Sequence, residues 1–240
     1  MFAPPSPLCS PTFSELITYL ANLSFHEGCF PSSLTQAIVT PLLKKPGLDS
    51  SSPFNYRPIS NLNNISKILE RLFLTRLQPH VTFSPNFNPL QSAYRVHSTE
   101  TALVNTLDYI YTSPTSAGRS LPTILVSLDL SAVFDTIDHC TLLNRLANSF
   151  GVTGLALSWI RSYLSNRSQC VAMGTPQSNF VPLNTGVPQG SVLGPLLFSL
   201  IPLLLVNLLV HMASHINSTQ MTLSCSFPSL LLHLLPLYSS

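Results

Sequence analysis

An α+β fold is what this sequence predicts, and three observations carry the expectation. Apolar residues recur at helical spacing in several separate stretches. A few runs are apolar or β-branched at strand length, and loops bearing proline and glycine divide the two kinds of segment. At 240 residues the chain can bury a substantial core, as one large domain or two small ones.

The elements follow in order. Residues 1–12 are rich in Pro and Ser and are expected to be disordered. Phe13, Leu16, Ile17, Leu20 and Leu23 then mark one face of an amphipathic helix. Residues 36–45 read as a short β segment ending in two lysines, and 46–53 as a loop. Ile65, Ile68, Leu69, Leu72, Phe73 and Leu77 form a second helical stripe, ended by proline-punctuated loop over 79–89. A third helix is expected over 97–111, capped by Ser98 or Thr99, with Leu103, Leu107 and Ile110 apolar. Residues 122–130 have the length and composition of a buried strand. Residues 138–150 and 155–164 look helical, 169–173 with 180–183 suggest a hairpin, and a last helix is expected from Pro188 through Phe198.

Charge is scarce and uneven. Only 8% of residues are charged, against roughly 25% in typical soluble domains. No Lys, Arg, Asp or Glu follows Arg167, and no Asp or Glu follows Asp138. A net charge of +2 gives no strong case for nucleic acid; Arg145, Arg161 and Arg167 offer only a local hint. The five cysteines are scattered, without a C-x-x-C pair or histidines at zinc-finger spacing, so zinc is not expected and free thiols are. The opening Met1-Phe-Ala-Pro-Pro has no basic stretch or apolar run, so an intracellular protein without secretory signal is expected.

Two islands carry chemistry. In Leu125-Val-Ser-Leu-Asp-Leu-Ser-Ala-Val-Phe-Asp-Thr-Ile-Asp-His139, Asp129 ends the apolar strand. A rigid strand end is a good place for a carboxylate that must hold a divalent metal across reacting oxygens. In Gly186-Val-Pro-Gln-Gly-Ser-Val-Leu-Gly-Pro-Leu-Leu-Phe198, Pro188-Gln189-Gly190 forms a turn whose small residue lets a nucleotide or strand come close. Gln189 offers both donor and acceptor groups.

These islands, in this order, resemble two palm blocks of a reverse transcriptase. Asn55-Tyr-Arg-Pro-Ile-Ser-Asn-Leu with Ser66-Lys-Ile-Leu-Glu70, and Gln91-Ser-Ala-Tyr-Arg-Val-His-Ser-Thr-Glu-Thr-Ala-Leu103, resemble its fingers blocks. The chain is similar over roughly residues 14 to 200 to reverse transcriptases of LINE-type (non-LTR) retrotransposons. The resemblance implies a partial right-hand polymerase fold, with a fingers-like region over 13–120 and an incomplete palm over 121–200. It implies that Asp129 is catalytic and a metal ligand, and that Phe134 closes the sugar pocket against a 2′-hydroxyl. Arg95 would reach the triphosphate, while Gln189 and Gly190 would contact template and incoming base pair. One residue separates Arg95 from His97 where the family usually has two. Asp135 and Asp138 read better as helix caps. Mg²⁺ is the implied ancestral cofactor, and an RNA template, a DNA primer and dNTPs the ancestral partners; no protein partner is implied.

The resemblance stops near Leu200. The family continues to a Tyr-Ala-Asp-Asp-Thr-Gln-Leu string that this sequence lacks. In the frame joining each codon's third base to the next codon's first two, Met212-Ala213 must encode Gly and Met221-Thr222 must encode Asp. Gln220-Met221 encodes only Asp or Asn, and Ser218 to Cys225 can encode the whole missing string. Residues 201–240 are therefore read as a frameshifted apolar tail, and Asp129 as one metal-binding carboxylate of the usual three. Two cations cannot then be held, so productive Mg²⁺ binding and nucleotide incorporation are not expected. Two alternatives remain: a nucleic-acid-binding remnant without catalysis, and a small membrane-associated protein through 196–213. Pro202, Asn207 and His211 interrupt that apolar run, and no Lys or Arg flanks it closely, so membrane insertion is not expected.

Overall fold

A computed structural model describes residues 11–87, 99–112, 124–129, 134–174, 176–201, 221–226 and 229–234. Helices and strands alternate in an α+β arrangement: α1 (Pro11–Glu27), β1 (Gln36–Leu43), β2 (Tyr56–Asn61), α2 (Asn64–Thr82), α3 (Thr99–Thr112) and β3 (Ile124–Asp129). They continue as α4 (His139–Asn148), α5 (Gly154–Leu164), β4 (Arg167–Val171), β5 (Val181–Leu183), α6 (Gly194–Ser199), β6 (Met221–Ser226) and β7 (Ser229–Leu234).

Two sheets form. The first has the order β2-β1-β4-β5. β1 runs antiparallel to β2, from Ile38 opposite Asn61 to Leu43 opposite Tyr56, and parallel to β4 through Gln36–Ser168 to Val39–Val171. β4 and β5 make the expected hairpin. The second sheet has the order β3-β7-β6. Its register sets Asp129 opposite Ser229, and Ser229 opposite Ser226.

Helices α1, α2, α4, α5 and α6 meet in the core, where Leu69, Leu142, Leu146, Trp159, Ile160, Leu193 and Leu197 are among the fully buried side chains. Its centre is aromatic. The Phe73 ring stacks on Trp159 at 4.1 Å between centroids, and Phe30 meets Trp159 and Tyr163 edge-on at 5.3 and 5.2 Å. The Trp159 indole N–H donates to Ser24 Oγ at 2.8 Å, and that hydroxyl donates to the Cys29 carbonyl. The buried polar end of the tryptophan is thus satisfied, as such a large amphipathic ring requires.

Three departures from the sequence reading have local causes. β2 forms where no strand is read from the sequence, although Pro58 interrupts it. As an edge strand, β2 loses nothing by a missing amide, and its opposite number Pro41 lies beyond the β4 pairing, which stops at Val39. Pro79 lies within α2 instead of opening a loop; so near the end only one helical bond is lost, and its carbonyl accepts the Phe83 amide at 3.0 Å. The helix expected from Pro188 begins only at Gly194, because Ser191 N–H bonds back to the Pro188 carbonyl and Gly190 takes φ +112°. Among the described residues no helix is long and apolar enough to cross a membrane, and residues 202–213 of the apolar run lie outside them.

Candidate nucleic-acid interface

The two sequence islands are joined in space by backbone bonds. After β3 the chain turns through Phe134–Asp138 into α4, and Asp138 caps that helix by accepting the Thr141 amide at 2.7 Å. This bond draws the Asp138 carboxyl below its ordinary range. The second island lies against the same turn. Val187 N–H donates to the Phe134 carbonyl and Gly186 N–H to the Ile137 carbonyl, both at 2.7 Å. His139 Nε2–H donates to the Gly186 carbonyl at 2.7 Å, and Thr185 Oγ1 to the Asp135 carbonyl at 3.2 Å. Gly186 sits at φ +82°, and a Cβ there would stand 2.6 Å from the Phe134 oxygen. Glycine is needed so that the two backbones can touch.

Past this seam, Pro188-Gln189-Gly190 reaches across to β2. Ser60 N–H donates to the Gln189 carbonyl at 2.7 Å, and a Cβ on Gly190 would lie 2.9 Å from the Ser60 oxygen. The close approach found at Gly190 is therefore made by the protein's own backbone. Gln189 keeps a partly exposed side chain over a hollow of about 120 Å³ that Ser60, Asp135 and Gln169 also line. Asp135 caps no helix. Partial desolvation at that hollow raises its carboxyl above the ordinary range.

Behind the turn stands a residue that the sequence reading passed over as chemistry. Glu70 on α2 is fully buried, and its Oε2 accepts the amides of Val192 and Leu193 at 2.7 and 3.1 Å. The Tyr163 hydroxyl donates to the same oxygen at 3.3 Å, and Ser66 Oγ donates to Oε1 at 3.0 Å. The Tyr163 ring in turn carries the buried Arg167 guanidinium, 4.1 Å from its centroid. Burial and then the nearby Glu70 charge push the Tyr163 phenol up. The signal was present: Glu70 falls in the same helical stripe as Leu69, Phe73 and Leu77, where a charge is out of place unless bonded.

Of the expected site residues, Gln189 and Gly190 share one turn, and Phe134 is joined to its approach by the Val187 amide. The Phe134 ring is half-buried and packs on Phe198 at 5.2 Å. Asp129 ends β3 as expected. Arg95 lies outside the described residues. Nucleotidyl transfer by two metals needs several carboxylates at one place. Asp129 is paired with Ser229 and, one strand further, Ser226, and neither β6 nor β7 contains Asp or Glu. Among the described residues, that row does not fit a pair of divalent cations. A cavity of about 470 Å³ between α1, α2 and α5 lies elsewhere and includes no residue of either island.

Comparison with known proteins identifies the family and the fold. A family described as reverse transcriptase (RNA-dependent DNA polymerase) matches residues 43–218. The chain is 31% identical over 200 residues to the probable RNA-directed DNA polymerase from transposon BS of Drosophila melanogaster, covering 80% of this chain and 21% of that protein. It is 31% identical over 194 residues to a Pol polyprotein from the type-1 retrotransposable element R2 of Popillia japonica, covering 78% and 25%. It is 27% identical over 186 residues to the jockey RNA-directed DNA polymerase of Drosophila melanogaster, covering 77% and 20%. The chain thus spans a quarter or less of these relatives. In fold it resembles telomerase from Candida tropicalis. The apo form superposes at TM-score 0.53 and 13% identity over 93% of this chain and 49% of that one. A complex with a fragment of telomeric RNA superposes at 0.56 and 11% over 93% and 40%.

Proposed function

The chain belongs to the reverse transcriptase (RNA-dependent DNA polymerase) family, and from that premise we propose that it is the fingers side and partial palm of a non-LTR retrotransposon polymerase that no longer transfers nucleotides. Residues 13–120 correspond to fingers and 121–200 to the incomplete palm. Phe134 faces the sugar of an incoming nucleotide, Gln189 and Gly190 face the template base pair, and Arg95 belongs to the triphosphate. Asp129 is the surviving ligand of a site that worked with Mg²⁺, on an RNA template and DNA primer.

The observation that supports loss of catalysis is the row Asp129–Ser229–Ser226, a single carboxylate where the chemistry calls for a cluster. The missing acids are written in the displaced frame over Gln220 to Thr222, and residues 201–240 are out-of-frame text. Two measurements test this. Sequencing of the gene is expected to show Asp-Asp codons in that frame, and their absence would refute the shift. Purified chain is expected to extend no primer with Mg²⁺; template-dependent incorporation would overturn the proposal.

A second reading, nucleic-acid binding without catalysis, is favoured by the well-anchored Gln189 turn. It calls for affinity toward a primer–template that falls steeply with salt.

A further inference from the structure

We propose that Glu70 is the positioning residue of the Pro188–Gly190 turn, acting from α2 through the amides of Val192 and Leu193; this rests on reading that turn as the surface facing template. The four donors around its carboxylate are neutral: two backbone amides and the hydroxyls of Ser66 and Tyr163. Taking an ion out of water is costly, and an apolar side chain would fill this place on α2 without that cost. What an apolar residue could not do is hold consecutive amides at one point. Oε2 accepts three of the four bonds, two of them from the segment directly after the turn.

The turn is gripped twice by one continuous piece of chain. Ser60, at the end of β2, holds the Gln189 carbonyl from one side at 2.7 Å, and Glu70, ten residues on, holds Val192 and Leu193 from the other. Between the two anchors Ser191 N–H closes the turn onto Pro188. The β2–α2 unit therefore sets the height and tilt at which Gln189 is presented. Tyr163 extends the grip to α5 and, through its stacked guanidinium, to the first residue of β4.

The test is hydrogen exchange on the full chain, comparing wild type with Glu70→Ala and Glu70→Gln. Glutamine keeps the length and an acceptor oxygen, so it should rescue in part. Glu70→Ala is expected to speed exchange of amides 189–194 by about tenfold, with Glu70→Gln between it and wild type, while α4 and α5 keep their rates. Affinity for an RNA–DNA primer–template is expected to fall in the same order. Unchanged exchange over 189–194, or an equal rise across α4 and α5, would overturn the proposal, since the latter marks a residue of general stability only. Should Glu70→Ala fail to fold, Glu70→Gln decides by the same pattern. If wild type binds no primer–template, the template-facing reading of the turn fails, and the exchange pattern still decides what Glu70 holds.

Discussion

Gly186 and Phe134 stand so close that one added carbon would meet the Phe134 carbonyl at 2.6 Å. The two residues come from sequence islands separated by most of α4, α5 and the β4–β5 hairpin. Gly186→Ala should therefore part the islands and strain a backbone at φ +82°, costing about 2–3 kcal/mol in chemical denaturation. Gly190→Ala, facing the Ser60 carbonyl, should cost a similar amount and free the turn from β2. Full stability of both variants would show that the seam is not tight.

The tryptophan at the core offers a second measurement. Trp159 is fully buried, stacked on Phe73 and bonded to Ser24. Trp159→Ala should cost about 4 kcal/mol. Ser24→Ala, which strands the indole N–H, should cost about 1–3 kcal/mol. As the chain has one Trp, its fluorescence reports this core alone, and it should shift to the red as the core opens.

Two neighbouring acids should respond to pH with opposite signs. The Asp138 carboxyl lies below its ordinary value of 3.8 because Thr141 bonds to it. Its support of α4 is complete above that value and fades as pH falls through the lower folded value. Asp138→Ala should thus destabilise at neutral pH and match wild type in strong acid. Asp135 lies above 3.8 through desolvation, so ionisation opposes folding as pH rises. Asp135→Asn should stabilise at neutral pH and have little effect well below 3.8. Denaturation curves across that range give both answers.

Restoring the displaced frame is the direct trial of the catalytic deficit. A chain with one base returned near codon 200 is expected to gain Mg²⁺-dependent extension, which Asp129→Ala should abolish. A restored chain bearing the Asp-Asp pair yet still silent in extension would place the defect outside the missing acids.

Much of this was legible in the sequence because periodicity reports the type of element, although Phe13, Leu16 and Leu23 of the first stripe are exposed. The stripes at Phe13–Leu23 and Ile65–Leu77 became α1 and α2, the apolar run before Asp129 became β3, and Asp138 proved to be a cap. What stayed hidden was long-range. Gly190 packs against the Ser60 carbonyl, a pairing that no local pattern encodes. The strand β2 is not read from the sequence, and its Pro58 is harmless only because that strand is an edge. Glu70 has four donors that converge from α2, α5 and the second island, and no local pattern shows that convergence.

The parallel pairing of β1 with β4 carries a consequence for the nascent polypeptide. Gln36–Val39 leaves the ribosome well before its neighbour Ser168–Val171 is made. Throughout that interval β1 has only the hairpin partner β2 and one bare flank, the situation in which strands stick to strangers. Closing so large a loop also slows the search for the native pairing. Release of the chain before Val171 should therefore leave an aggregation-prone fragment, and chaperone capture should be heaviest over that window of synthesis.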